Sequence, residues 1–191
     1  MINKDDLVFF EENGFEVCLE KKKSKLTIHD IERDVFSFLE DYPDMGFYFA
    51  KFPDQTFDIS INNLDYSLFG KCWSGYFLTD EKGCVVLFQN KEKHFSDSDF
   101  IYTNNSLPYF LKSYSLFMSG IFLLKANREI FLEMSSEVSS SLVEKISLFD
   151  KPAAEETNFW GIISYLIDDC GIKINIPVSK YIESDRFQPN S

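Results

Sequence analysis

The sequence predicts a single α+β domain, with a central, mostly antiparallel sheet of about five or six strands and helices packed against it. Three observations predict it. Phe57, Ile59 and Ile61 alternate with Asp58, Ser60 and Asn62, the period of a strand with one buried and one wet face. Phe100–Met118 reads as a strand that runs into a capped helix. The third is composition: 21 Phe, 9 Tyr and 2 Trp fall in many short aromatic and β-branched runs, which suit a pleated surface better than a helical bundle. A chain of 191 residues buries roughly 70% of its unfolded surface, so its core needs neither disulfides nor metal.

Taken in order, Leu7–Phe10 and Phe15–Leu19 are short β-like runs parted by a turn-type break, Glu11 to Gly14. Lys21, Lys22, Lys23 and Lys25 mark a solvated turn. Thr27 with Asp30 resembles a capping box, and Ile28, Ile31, Val35, Phe38, Leu39 and Tyr42 follow at helical spacing until Pro43 and Asp44 end the helix. Met45–Phe52 puts Phe47 and Phe49 on one face of a strand, and Pro53 and Asp54 turn the chain. Tyr66–Leu78 is a long aromatic strand region in which Gly70 and Gly75 mark a bulge or a close backbone approach. Asp80–Gly83 forms a hairpin loop into the strand Cys84–Gln89, and His94–Asp99 is a polar loop.

In the next unit Phe100 and Tyr102 alternate with Ile101 and Thr103, and Asn104, Asn105 and Ser106 stop the strand. Asn105 or Ser106 caps the helix, because a short side-chain oxygen accepts an orphan N–H of the first turn, and Pro108 costs nothing there. Leu107, Phe110, Leu111, Tyr114 and Met118 make its apolar stripe. Ile121–Leu124 and Ile130–Met134 are apolar runs compatible with helix or strand. Ser135–Phe149 is serine-rich, with Val138, Leu142, Ile146 and Phe149 at helical spacing. After a bend at Lys151 and Pro152, Thr157 caps a helix over Phe159–Cys170 that Gly171 stops. Ile172–Ile176 is one last short strand, and Ser184–Ser191 a frayed tail.

The formal charge is −12, from 19 basic and 31 acidic residues, the opposite of what phosphate neutralisation needs. This argues against a nucleic-acid binder and suits either solubility or a basic partner. Cys18, Cys72, Cys84 and Cys170 have no metal spacing and read as reduced, mostly buried thiols. The acidic N-terminus is unlike a signal peptide, and the apolar stretch Leu116–Leu124, broken by Ser119 and Gly120, is below spanning length. A soluble, cytoplasmic protein without cofactor or metal is expected. Phosphate-loop, nucleophile-elbow, HExxH and calcium-loop motifs are all missing, and His29 and His94 read as cap and surface residues. The pairs Asp54 with Asp58 and Asp97 with Asp99 are placed where two carboxylates meet, for Mg²⁺ or simply as solvated loops. Trp73 and Tyr76 are candidate interface aromatics, or core.

The order of elements carries a resemblance. A capped helix precedes a meander of strands with the hairpin turn Thr79-Asp80-Glu81-Lys82-Gly83. Then comes an Asn-x-Ser-Leu-x-x-Phe-Leu segment, Asn104 to Leu111 without Asn105 entering the pattern as such: Asn104-Asn105-Ser106-Leu107-Pro108-Tyr109-Phe110-Leu111. The bend Asp150-Lys151-Pro152-Ala153 follows, and Trp160 lies about seven residues beyond it in an amphipathic helix. This combination resembles the SUKH superfamily, most of all its fourth subfamily of bacterial immunity proteins. It covers roughly residues 45–170 of a domain taken as 1–191. The resemblance implies a non-enzymatic domain that binds and neutralises a cognate polymorphic toxin, commonly a nuclease or a nucleic-acid deaminase, and it brings no catalytic residue with it. The negative charge would complement the basic cleft of such a toxin. On residue chemistry rather than inheritance, Asp54, Asp58, Asp97 and Asp99 are the expected contacts, with Trp73 or Tyr76 as anchor. The rival expectations are a regulatory scaffold of the same fold with another partner and a small metal-dependent hydrolase using the acidic loops.

Overall fold

The sheet is laid down by hairpins. In the computed structural model, which describes residues 8–10, 12, 16–22, 46–49, 56–61, 63–89 and 99–169, its strands are β1 (Glu16–Lys22), β2 (Tyr48–Phe49), β3 (Thr56–Ile61), β4 (Leu64–Cys72), β5 (Gly75–Thr79), β6 (Val85–Gln89) and β7 (Phe100–Asn104). Their order is β1-β3-β4-β5-β6-β7, with β2 beside β4, and every described pairing is antiparallel. Because β5 takes one edge of β4, β2 and β3 share the other end to end. A bulge leaves Phe69 as an extra residue opposite Leu78 and Phe77, just before Gly70. The expected α+β architecture is what is found.

Turn chemistry explains the β5–β6 hairpin. Asp80 Oδ1 accepts the main-chain N–H groups of Lys82 at 2.9 Å and Cys84 at 2.8 Å, which closes the loop on itself. Gly83 has φ +86°, a left-handed conformation that a side chain would strain.

Three helices follow: α1 (Leu107–Ala126), α2 (Phe131–Ser147) and α3 (Phe159–Asp168). Ser106 caps α1, its hydroxyl accepting the Tyr109 N–H at 3.4 Å. The stripe Leu107, Phe110, Leu111, Tyr114 and Met118 is buried as expected, but the helix runs on through Ser119 and Gly120. Both ambiguous runs are helical: Ile121–Leu124 lies within the last turns of α1, while Ile130 closes a 3-10 turn and Phe131–Met134 opens α2. By length and apolarity α1 matches a membrane span, yet most of it is buried in the core. α3 starts at Phe159 as expected, but its N-cap is Asn158 rather than Thr157, and the Asn158 amide donates to the Pro152 carbonyl at 2.8 Å; the helix ends at Asp168, short of the expected Cys170.

The sheet is buried on both faces. Phe47, Phe49, Phe69, Phe77, Leu87 and Ile101 pack under the helices, around Phe110, Tyr114 and Trp160. Ile59, Ile61, Leu68, Tyr76, Leu78 and Phe88 form a second core on the opposite face with Phe10. Residues 8–10 are helical rather than the expected strand. Their aromatic types suit either state, and burial of Phe10 against Tyr76 at 4.7 Å and Phe88 at 5.8 Å outweighs local propensity. Lys21 and Lys22 lie in β1, opposite Phe57 and Thr56, not in a turn, because the strand continues past an irregularity after Cys18. The expected helix over 27–42 and the strand over 172–176 fall outside the described residues.

A polar hub joins sheet to helices. The fully buried Asn104, last residue of β7, donates from Nδ2 to Asp150 Oδ2 at 3.0 Å and Ser113 Oγ at 3.1 Å. Its Oδ1 accepts the indole N–H of Trp160 at 2.7 Å. Asp150, also buried, receives the Tyr102 hydroxyl on Oδ1 at 3.0 Å and the Asn105 main-chain N–H on Oδ2 at 2.8 Å. Asp150→Ala strands all three donors, so it is expected to lower the unfolding free energy by about 3–5 kcal/mol. Ser113→Ala removes one acceptor and should cost about 1 kcal/mol. Urea titration checks both; equal losses would show that the carboxylate is not what holds the layers.

Tyr102 sets an alkaline limit. Burial pushes its phenol above the ordinary range, and the Asp150 carboxylate pushes it further by accepting its proton and by its charge. The folded state therefore favours the neutral phenol. This contribution is intact below the unfolded value of about 10 and is lost as pH rises from there toward the folded value, because the unfolded chain ionises first. Tyr102→Phe is expected to be less stable at neutral pH but to show a shallower alkaline decline in denaturant titrations across pH.

Candidate functional site

The six residues expected to touch a partner do not assemble into one surface among the described residues. Asp54 and Asp97 fall outside those residues. Asp58, half-buried on β3, accepts the Ser67 hydroxyl at 3.4 Å from the neighbouring strand. Asp99 is exposed just before β7, and its main-chain carbonyl accepts the Gln89 N–H at 2.9 Å. Four strand spacings separate β3 from β7, roughly 19 Å at the usual interval, so these two carboxylates sit on opposite flanks. Trp73 is half-buried in the β4–β5 turn, edge-on to Phe47 at 5.3 Å on the helix side. Tyr76 lies on the other side, buried, with its ring 5.0 Å from Phe9.

Among the described residues no three His, Cys, Asp or Glu side chains converge. The two thiols whose surroundings are described have little nucleophilic character. Cys72 is buried beside the Ser74 hydroxyl at 3.2 Å, and burial pushes its thiol up to about 11. Cys84 is half-buried, and desolvation followed by the Asp80 charge raises it as well.

A concave surface does lie between α2 and α3. Ser139 of α2 and Ser164 of α3 meet at the crossing: the Ser139 hydroxyl is 2.9 Å from the Ser164 carbonyl, and the Ser164 hydroxyl 3.0 Å from that of Ser139. The hydroxyls are 2.7 Å apart, so with one proton each they close two of these three contacts at a time. On α3, Gly161 lies one turn before Ser164, and a Cβ there would run into the Glu155 carbonyl, so only glycine lets residues 155–158 fold against the helix start. With Ala154 alongside, these small groups leave a groove of about 700 Å³. Its buried floor is Ser139, Gly161 and Ser164, and its rim is exposed.

Sequence reasoning passed over this groove. The signal was Gly161 and Ser164 three apart on one helix, and Ser135 and Ser139 four apart on another, small residues on faces that the apolar period buries. No protein-family model, curated protein or solved structure matches the chain.

The thiols supply a direct test of this site chemistry. With an alkylating reagent near pH 8, Cys72 is expected to stay unmodified in the folded protein while Cys84 reacts slowly, and both to react within minutes in urea. Peptide mapping by mass spectrometry reads the order; fast native labelling of Cys72 would contradict its burial.

Proposed function

We propose that this chain is a non-enzymatic immunity protein, which binds a cognate toxin with a basic surface and neutralises it by occlusion. The observation that carries this reading is the hub. The segments on which the SUKH resemblance rests, Asn104 to Leu111, the Asp150 bend and the Trp160 helix, are distant in sequence and share one hydrogen-bonded centre. Asp80 and Gly83, from the same pattern, build the β5–β6 turn. The resemblance therefore runs along residues that this fold depends on.

The charge of −12 supports the partner's chemistry. Such a field speeds encounter with a basic surface and repels nucleic acid, so the protein would compete with a nuclease's or deaminase's substrate rather than bind that substrate. A cytoplasmic site of action accords with protecting the cell that makes the toxin.

The test is co-expression. The protein encoded in the adjacent reading frame is induced with and without this chain, growth is followed, and the pair is purified together. Growth arrest by the neighbour alone, with recovery and co-purification when both are present, is the expected result. A harmless neighbour that does not co-purify would remove the immunity reading and leave the resemblance to speak for fold alone.

A further inference from the structure

We propose that the groove between α2 and α3 is the docking site for a basic, amphipathic segment of the partner protein, an inference that rests on the reading of this chain as a binder of basic proteins. Helical spacing defines the two walls. Gly161, Ser164, Tyr165 and Asp168 fall at i, i+3, i+4 and i+7 on α3, and Ser139, Ser140, Val143 and Glu144 share a face of α2. Two facing helix surfaces therefore make the corridor, and Ala154 and Glu156 from the turn before α3 complete its rim.

Its chemistry selects one kind of occupant. Glu144 and Glu156 are exposed on the rim with Asp168, and the described residues that line the groove include no base. Between them Tyr165, 66% exposed, offers an aromatic body with a polar tip, the type of side chain that recurs at binding hot spots. Val143 and Ala154 add apolar lining above the serine floor. Apolar side chains of a segment would cover Tyr165 and Val143 while its Lys or Arg heads reach Glu144 and Glu156. Phosphate groups of nucleic acid or of an anionic membrane would meet repulsion at the same rim. A groove of about 700 Å³ takes the row of side chains that one segment presents.

The probe is a short amphipathic peptide of lysine and leucine, with a glutamate–leucine peptide of the same pattern as comparison, titrated into isotope-labelled protein and followed by NMR. The lysine peptide is expected to move the amide signals of Ser140, Glu144, Ser164 and Tyr165, and the glutamate peptide to move none. Glu144→Lys with Glu156→Lys should weaken binding about tenfold. The control, Glu129→Lys with Glu133→Lys, makes the same change in net charge at exposed positions away from the groove and should weaken it less than about threefold. Tyr165→Ala, which leaves the charge unchanged, should weaken it about fivefold. Equal losses in the two charge-reversed proteins, or signals that move elsewhere, would overturn the groove and leave the basic-partner reading standing, whereas equal binding of the glutamate peptide would overturn both. No binding of the lysine peptide to the unaltered protein would overturn both.

Discussion

The buried carboxamide of Asn104 is where the sheet and the helical layer are made into one object. An asparagine offers two N–H donors and one carbonyl acceptor, and here all three functions are used: donors to Asp150 and Ser113, acceptor to the Trp160 indole. Neither relative of asparagine would serve. Aspartate would set two carboxylates against each other, and leucine would leave the indole N–H without a partner and take one of three donors from the Asp150 carboxylate. Asp150 is tolerable inside because Tyr102, Asn104 and the Asn105 main chain all donate to it. Such a network tells each element where to sit. Apolar packing of Phe110, Phe117 and Trp160 would accept small slides that these directional bonds do not.

A second constraint is that the sheet has no wet face across its centre. β5 carries Phe77 into the helix-side core and Tyr76 and Leu78 into the other, so it reads as a continuous apolar run although its neighbours are antiparallel. Toward β3 the helix side of the sheet turns polar. Asp58, Ser67 and Thr79 lie across from one another on the helix side, and the serine donates to the aspartate while the threonine donates to the Ser67 carbonyl. The middle of the sheet is thus committed to folding.

Much of this was legible where the signal is local. The alternation of Phe57, Ile59 and Ile61, the hairpin at Asp80 and Gly83, and the stripe from Leu107 to Met118 depend on neighbours within a few residues, and the structure realises each of them. Misreadings arose where tertiary contacts decide. Ser119 and Gly120 interrupt the apolar run, yet α1 continues through them, and a Cβ on Gly120 would crowd Val138 of α2. Residues 8–10 are helical because of what Phe9 and Phe10 touch, which their own sequence does not encode locally. The hub joins positions 46 and 56 residues apart, so no period reveals it. The contact residues were chosen by type, as acids in loops and aromatics in strands. That criterion cannot tell Tyr76, inside, from Tyr165, outside. A helix-face reading of Gly161, Ser164, Tyr165 and Asp168 carries the missing information.

These constraints converge on α2 and α3. Asp150 follows the end of α2 by three residues, and Trp160 is the second residue of α3, so both walls of the groove are tied to Asn104 through short, rigid connections. The Ser139–Ser164 contacts then hold the walls together at their crossing. A protein that acts by occupying another's surface gains from such rigidity, since ordering a flexible surface on binding would subtract from affinity. On this view the polar hub and the acidic groove are two ends of one arrangement. Buried directional bonds set the helix spacing, the spacing with small residues opens the groove, and the exposed carboxylates give that groove a preference for positive charge.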